Sequence, residues 1–178
     1  MISYVLGHAI CEGYIDGVNS KISDWPLVQN TLYQDQKLID LLNMASGDQK
    51  YVYDSVILKN GKYKQSVMAE ADTRDIYHYM KIIFDNSKKS KPKYNYNIIN
   101  TNLIFNYVLF KTEEDFQKIL NKTFQEKSQI KNSVYFFKVP RTSPEYGDAN
   151  SMFYAARYDY LRIAKAMMDD WQNDTCVG

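Results

Sequence analysis

Residues 103–110 read LIFNYVLF, and how this run is read decides the fold. Apolar side chains fall on both alternating faces, which suits a strand covered on both sides in the middle of a sheet. Downstream, Thr112 opens TEED, with Asp115 placed as the third residue of a capping box for a helix. Phe116, Ile119, Leu120, Thr123 and Phe124 would be its inner stripe. SVYFFKV at 133–139 returns to strand. Read this way, 103–139 is a strand–helix–strand block, closed by a right-handed crossover or by an antiparallel return.

Upstream, Tyr4, His8, Cys11, Ile15, Val18 and Ile22 alternate in steps of four and three, the stripe of one helix ended by Asp24-Trp25-Pro26. Leu38, Leu41, Leu42 and Ala45 give a short helix that Gly47 stops. VILKNGKYKQSV at 56–67 carries Asn60-Gly61 between two strand-like runs, a hairpin signal near 52–68 with Leu58 opposite Tyr63. Asp72 would cap a helix with Ile76, Tyr79, Met80, Ile83 and Phe84 inward. Past the polar loop RTSPEYGD, Asp148 would cap a long last helix with Met152, Ala156, Tyr160, Ile163, Met167 and Trp171 on its inner side. The expected architecture is a single α+β domain over 1–178: N-terminal helices, the hairpin, the block and the C-terminal helix.

Composition bounds the function. The chain has 178 residues, 45% hydrophobic, enough to bury a core without metals or staples. A formal net charge of +1 gives no global field toward nucleic acid or an anionic membrane. Sixteen tyrosines, with many Lys, Asn and Ile, suit A+T-rich coding in a bacterium, phage or virus. Residues 1–20 lack a basic n-region, and Glu12 and Asp16 interrupt any apolar core, so a soluble, cytoplasmic protein is expected. The uncharged run 94–110 holds Asn95, Asn97, Asn100, Asn102 and Asn106, a poor membrane span. With two cysteines and two histidines, no zinc spacing assembles, and neither metal nor cofactor is expected. Cys11 and Cys176 are by default reduced thiols, the alternative being a bridge tying the two ends together.

Four groups of residues carry chemistry. In GHAICEGYIDG, residues 7–17, His8 stands one turn from Cys11, and His78 is the only distant base. These three would serve a cysteine-dependent hydrolase or transferase, but the stripe carrying His8 and Cys11 should pack inward. Glu70, Asp72 and Asp75 in EADTRD suit a helix start, where negative charge is favoured. KKSKPKYNY at 88–96 interleaves lysines with Tyr94 and Tyr96 but has no arginine, so nucleic-acid contact is disfavoured. Tyr154, Arg157, Tyr158 and Arg162 stand off the inner stripe of the last helix, which holds two of the chain's four arginines. Tyr and Arg dominate interface energetics. No phosphate loop, GxSxG, HExxH or CxxC appears. The leading expectation is therefore a non-catalytic protein that binds another protein, such as a bacterial or phage-borne inhibitor, immunity protein or structural assembly component. The alternative is an enzyme using Cys11.

Overall fold

In the computed structural model, which describes residues 1–53, 56–57, 63–64, 76–132, 134–138 and 151–177, LIFNYVLF is the middle of a helix. Helices dominate. They are α1 (Ile2–Cys11), α2 (Leu38–Leu42), α3 (Gln49–Tyr53), α4 (Ile76–His78), α5 (Ile98–Thr112), α6 (Phe116–Leu120) and α7 (Arg157–Gln172). Wider π turns extend α4 over Tyr79–Ile83 and α6 over Asn121–Lys127. Among the described residues, strand is confined to two short antiparallel ladders, β1 (Val56–Ile57) with β2 (Tyr63–Lys64) and β3 (Tyr135–Lys138) with β4 (Ser151–Tyr154). The α+β expectation is overturned: the chain is mostly helical, and among the described residues no sheet forms a layer.

The reason lies in α5. Asn102 to Val108 are buried without a break, so the helix is covered on every side. An apolar run of eight residues fits such a helix as well as a central strand, since periodicity vanishes when all faces are buried. The start is set by Asn97, in extended backbone, whose side-chain oxygen accepts from the Asn100 amide at 3.2 Å. Asn97 also donates through Nδ2 to Asp48, a fully buried carboxylate that accepts from the Tyr33 hydroxyl at 2.7 Å. Inside the helix, Asn106 donates to the Asn102 carbonyl and Thr112 to the Val108 carbonyl, so these polar side chains are satisfied by the turn before them. Thr112 thus closes α5, and Asp115 makes no capping bond with its side chain but accepts from the Tyr14 hydroxyl at 2.7 Å.

α5 packs against α1, α2 and α6 at the centre of one hydrophobic cluster. Trp25 stacks on Phe110 and leans on Tyr107, while Tyr107 reaches out to Asp24. The β3–β4 ladder covers the other side. Phe136 and Phe153 are cross-strand partners, and their rings meet Phe105 and Phe124 at 5.0 Å. β3 therefore pairs with residues assigned from sequence to the last helix, and not with 103–110. The strand–helix–strand block does not exist.

Other boundaries move for local reasons. The first helix ends at Cys11, and Gly13, at φ +82°, takes the left-handed conformation after it; Ile15 and Ile22 are buried from the loop instead. Gly47, at φ +78°, lies against the Ser90 carbonyl, whose amide donates back to Gly47 at 2.9 Å; any side chain there would collide with that backbone. In the first ladder Ile57, not Leu58, is opposite Tyr63. Leu58, Asn60, Gly61, the EADTRD segment with its Asp72 cap, and Asp148 lie outside the described residues. No helix among the described residues is long and apolar enough to cross a membrane.

Candidate interaction surface

α7 has no glycine or proline in sixteen residues, and Ala156 precedes it in extended backbone. Its buried side chains are Asp159, Ile163, Ala166 and Asp170, steps of four, three and four that follow the 3.6-residue turn. Two of these four are carboxylates, each held by partners. Asp159 accepts from Arg162 at 2.5 Å and from Asn132 at 3.4 Å. Asp170 accepts from the Tyr4 hydroxyl at 2.5 Å, Lys127 at 2.5 Å and Thr175 at 2.8 Å. Burial alone would push the Asp170 carboxyl up; the bonds from Lys127, Tyr4 and Thr175 outweigh it and hold the group below its usual range. Asp170 thus ties the end of α7 to α1 and to the π turn after α6. Beyond it, Cys176 is disulfide-bonded to Cys11, with Cα atoms 5.9 Å apart.

The opposite face is exposed and apolar. Leu161, Met168 and Trp171 are 66%, 58% and 74% accessible, and Tyr158 beside them is 73% accessible. Tyr154, Arg157 and Arg162 are exposed as well. Tyr160 is half turned inward, its hydroxyl donating to the Phe153 carbonyl at 3.0 Å and its ring edge-on to Phe153. The structure places three of the residues expected to meet a partner, Arg157, Tyr158 and Arg162, on α7 and the fourth, Tyr154, at the end of β4 just before it, and adds three apolar ones. It also corrects the inner stripe. Ile163 is buried and Met167 partly so, but Ala156, Tyr160 and Trp171 are exposed, and Met152 is in β4.

His8 and Cys11 both lie on α1, and their chemistry is set by burial and by the bridge. His8 is 6% exposed, edge-on to Tyr4 at 4.8 Å, and its Nε2 is buried without a hydrogen-bond partner among the described residues. Burial, assisted by the charge of Lys127, lowers its pKa to about 4, too weak for a general base at neutral pH. Cys11 has no thiol in the bridged state, so nucleophilic chemistry would require reduction first. The default of two reduced thiols is overturned. Both residues line a cleft of about 360 Å³ with Glu12, Lys122, Lys127 and Cys176. Three of its charged side chains are paired, Glu12 with Lys122 and Lys127 with Asp170. His78 belongs to α4, and its side chain is outside the described part.

The KKSKPK loop is exposed, as are Tyr94 and Tyr96, but its backbone is pinned to the α2–α3 turn. The Asn95 amide donates to the Met44 carbonyl at 2.8 Å, Gln49 to the Lys91 carbonyl, and Lys89 lies 3.8 Å from Asp40. No cluster of three or more metal-ligating side chains occurs among the described residues.

Fold and surface together define a mainly helical domain, closed by a disulfide between its first and last helical regions and presenting one aromatic and apolar helix face. Compared with known protein families and with curated proteins, the sequence matches none.

Proposed function

We propose that this protein acts by binding another protein through the outer part of α7 and the adjoining end of β4, centred on Tyr154, Arg157, Tyr158 and Arg162 and widened by Trp171. The observation that carries the reading is the exposure of Tyr158 and Trp171 on a helix already held to the core by its other face. Large aromatic side chains in water cost solvation and supply contact area at low entropic cost when covered. An inhibitor or an assembly component would work this way. The Cys11–Cys176 bridge favours an oxidising compartment over the cytoplasmic setting read from the sequence, because cytosolic thiol systems keep such pairs reduced.

The cleanest probe is Tyr158→Ala. Arg162→Ala is a poor one, because Arg162 neutralises Asp159, which is buried, and its loss would disturb folding as well as binding. Affinity capture from extracts of the source organism should retain a protein on the wild type that Tyr158→Ala retains at least about tenfold less, a change typical of interface anchors. A captured protein held equally by wild type, Tyr158→Ala and Trp171→Ala would refute the assignment.

A further inference from the structure

We infer that the apolar stripe of α7 pairs antiparallel with α7 of a second copy of this chain. This rests on the reading of α7 as a binding face and names its occupant. Leu161, Ala164, Met168 and Trp171 recur in steps of three, four and three. That is the a/d spacing of a helix–helix seam, and all four are exposed. The charges beside the seam choose the orientation. Arg157, Arg162 and Lys165 lie within the first nine residues of α7, with the buried Asp159 among them, whereas Asp169 is in its last turn and Asp174 just past its end. Asp159 apart, this is the reverse of what the helix dipole favours, which calls for acids at the N-terminus and bases at the C-terminus. Among the described residues these side chains form the exposed Lys165–Asp169 pair and the Arg162–Asp159 contact within one chain.

Across a two-fold axis the same arrangement becomes complementary. An antiparallel crossing centred near Ala166 sets Leu161 against Trp171 of the partner subunit and Ala164, small enough for close approach, against the partner subunit's Met168. It also brings Arg157 level with Asp174 of the partner subunit, and Asp174 level with the partner's Arg157, as a self-complementary interface requires. A parallel pairing would instead stack like charge on like charge along the seam. The helix is about 24 Å long and offers one face, so the contact is at the small end of specific interfaces and should be reversible.

Sedimentation equilibrium of the full chain, bridge intact, tests this. A monomer–dimer equilibrium with a micromolar dissociation constant is expected. Met168→Asp should weaken it about a hundredfold or more while leaving the far-ultraviolet circular dichroism unchanged. Arg157→Glu, which the helix dipole welcomes in the monomer, should weaken it about tenfold, and Arg157→Glu combined with Asp174→Arg should restore it. A wild type that stays monomeric at millimolar concentration overturns the proposal, as does a dimer indifferent to Met168→Asp. Recovery absent in the double variant overturns the antiparallel arrangement. Capture of a different protein that depends on Tyr158 would survive any of these outcomes, so failure of self-pairing and failure of the wider binding reading are told apart.

Discussion

α5 and α7 have fifteen and sixteen residues, yet they spend their apolar side chains in opposite ways. α5 is covered all round, and even its asparagines are inside. α7 buries one narrow face, half of it carboxylate, and turns Leu161, Met168 and Trp171 outward. The comparison separates two meanings of an apolar residue. In α5 it is the core; in α7 it is available for contact, because the inner face and the Asp170 and Cys176 anchors already fix the helix. Total hydrophobicity would have ranked α5 first on either count and missed the second meaning.

The largest difference should come from truncating each helix. Phe105→Ala removes a fully buried ring packed on Phe116 and Phe136 and should cost about 3–5 kcal/mol in urea unfolding. A cost under about 1 kcal/mol would mean that α5 is not the centre of the core.

Next is the anchor of α7. Replacing Cys11 and Cys176 together by alanine opens a loop closed over a sequence separation of 165 and should cost about 2–4 kcal/mol, with the far-ultraviolet signal of the folded state retained. An unchanged unfolding midpoint would show that the inner face holds α7 without the bridge.

A smaller effect is set by pH at the junction of α1 and α7. His8 has a folded pKa of about 4 against about 6.5 unfolded, so the unfolded chain binds the extra proton between these values. The neutral imidazole's contribution is complete above pH about 6.5 and is lost as pH falls toward about 4, a loss of order 2–3 kcal/mol. Asp170, whose pKa is depressed, acts in a lower window, its contribution being lost only below the ordinary carboxylate range. His8→Phe should flatten the upper window and leave the lower one. Equal acid sensitivity of the two proteins between pH 6.5 and 4 would remove His8 from the account.

How much of this was legible in the sequence follows the same division. The inward stripes of α4 and α6 were readable, since Ile76, Met80, Ile83 and Phe84, and Ile119, Leu120 and Phe124, keep helical spacing and are buried. α5 was misread because complete burial erases periodicity. The available signal was Asn97, a good cap placed just before the apolar run. The inner face of α7 was misdrawn because only apolar positions were followed. The steps 156, 160, 163, 167 and 171 average more than the 3.6 residues of a turn and so rotate past the buried side, whereas the true face runs through Asp159 and Asp170. A carboxylate reads as exposed until its partners, here Arg162, Asn132, Lys127, Tyr4 and Thr175, are brought to it by the fold. Trp171 was therefore placed inside, and the stripe it shares with Leu161 and Met168 went unseen, while Tyr158 and Arg162 were marked from residue type alone.

The most direct measurement is the unfolding free energy of Trp171→Ala, taken at a protein concentration dilute enough to keep the chain monomeric. A side chain that serves contact and not folding should cost less than about 0.5 kcal/mol there, as surface positions do. A loss of about 3 kcal/mol or more, the cost of emptying a core site, would put Trp171 inside the fold and contradict an outward-facing apolar stripe on α7.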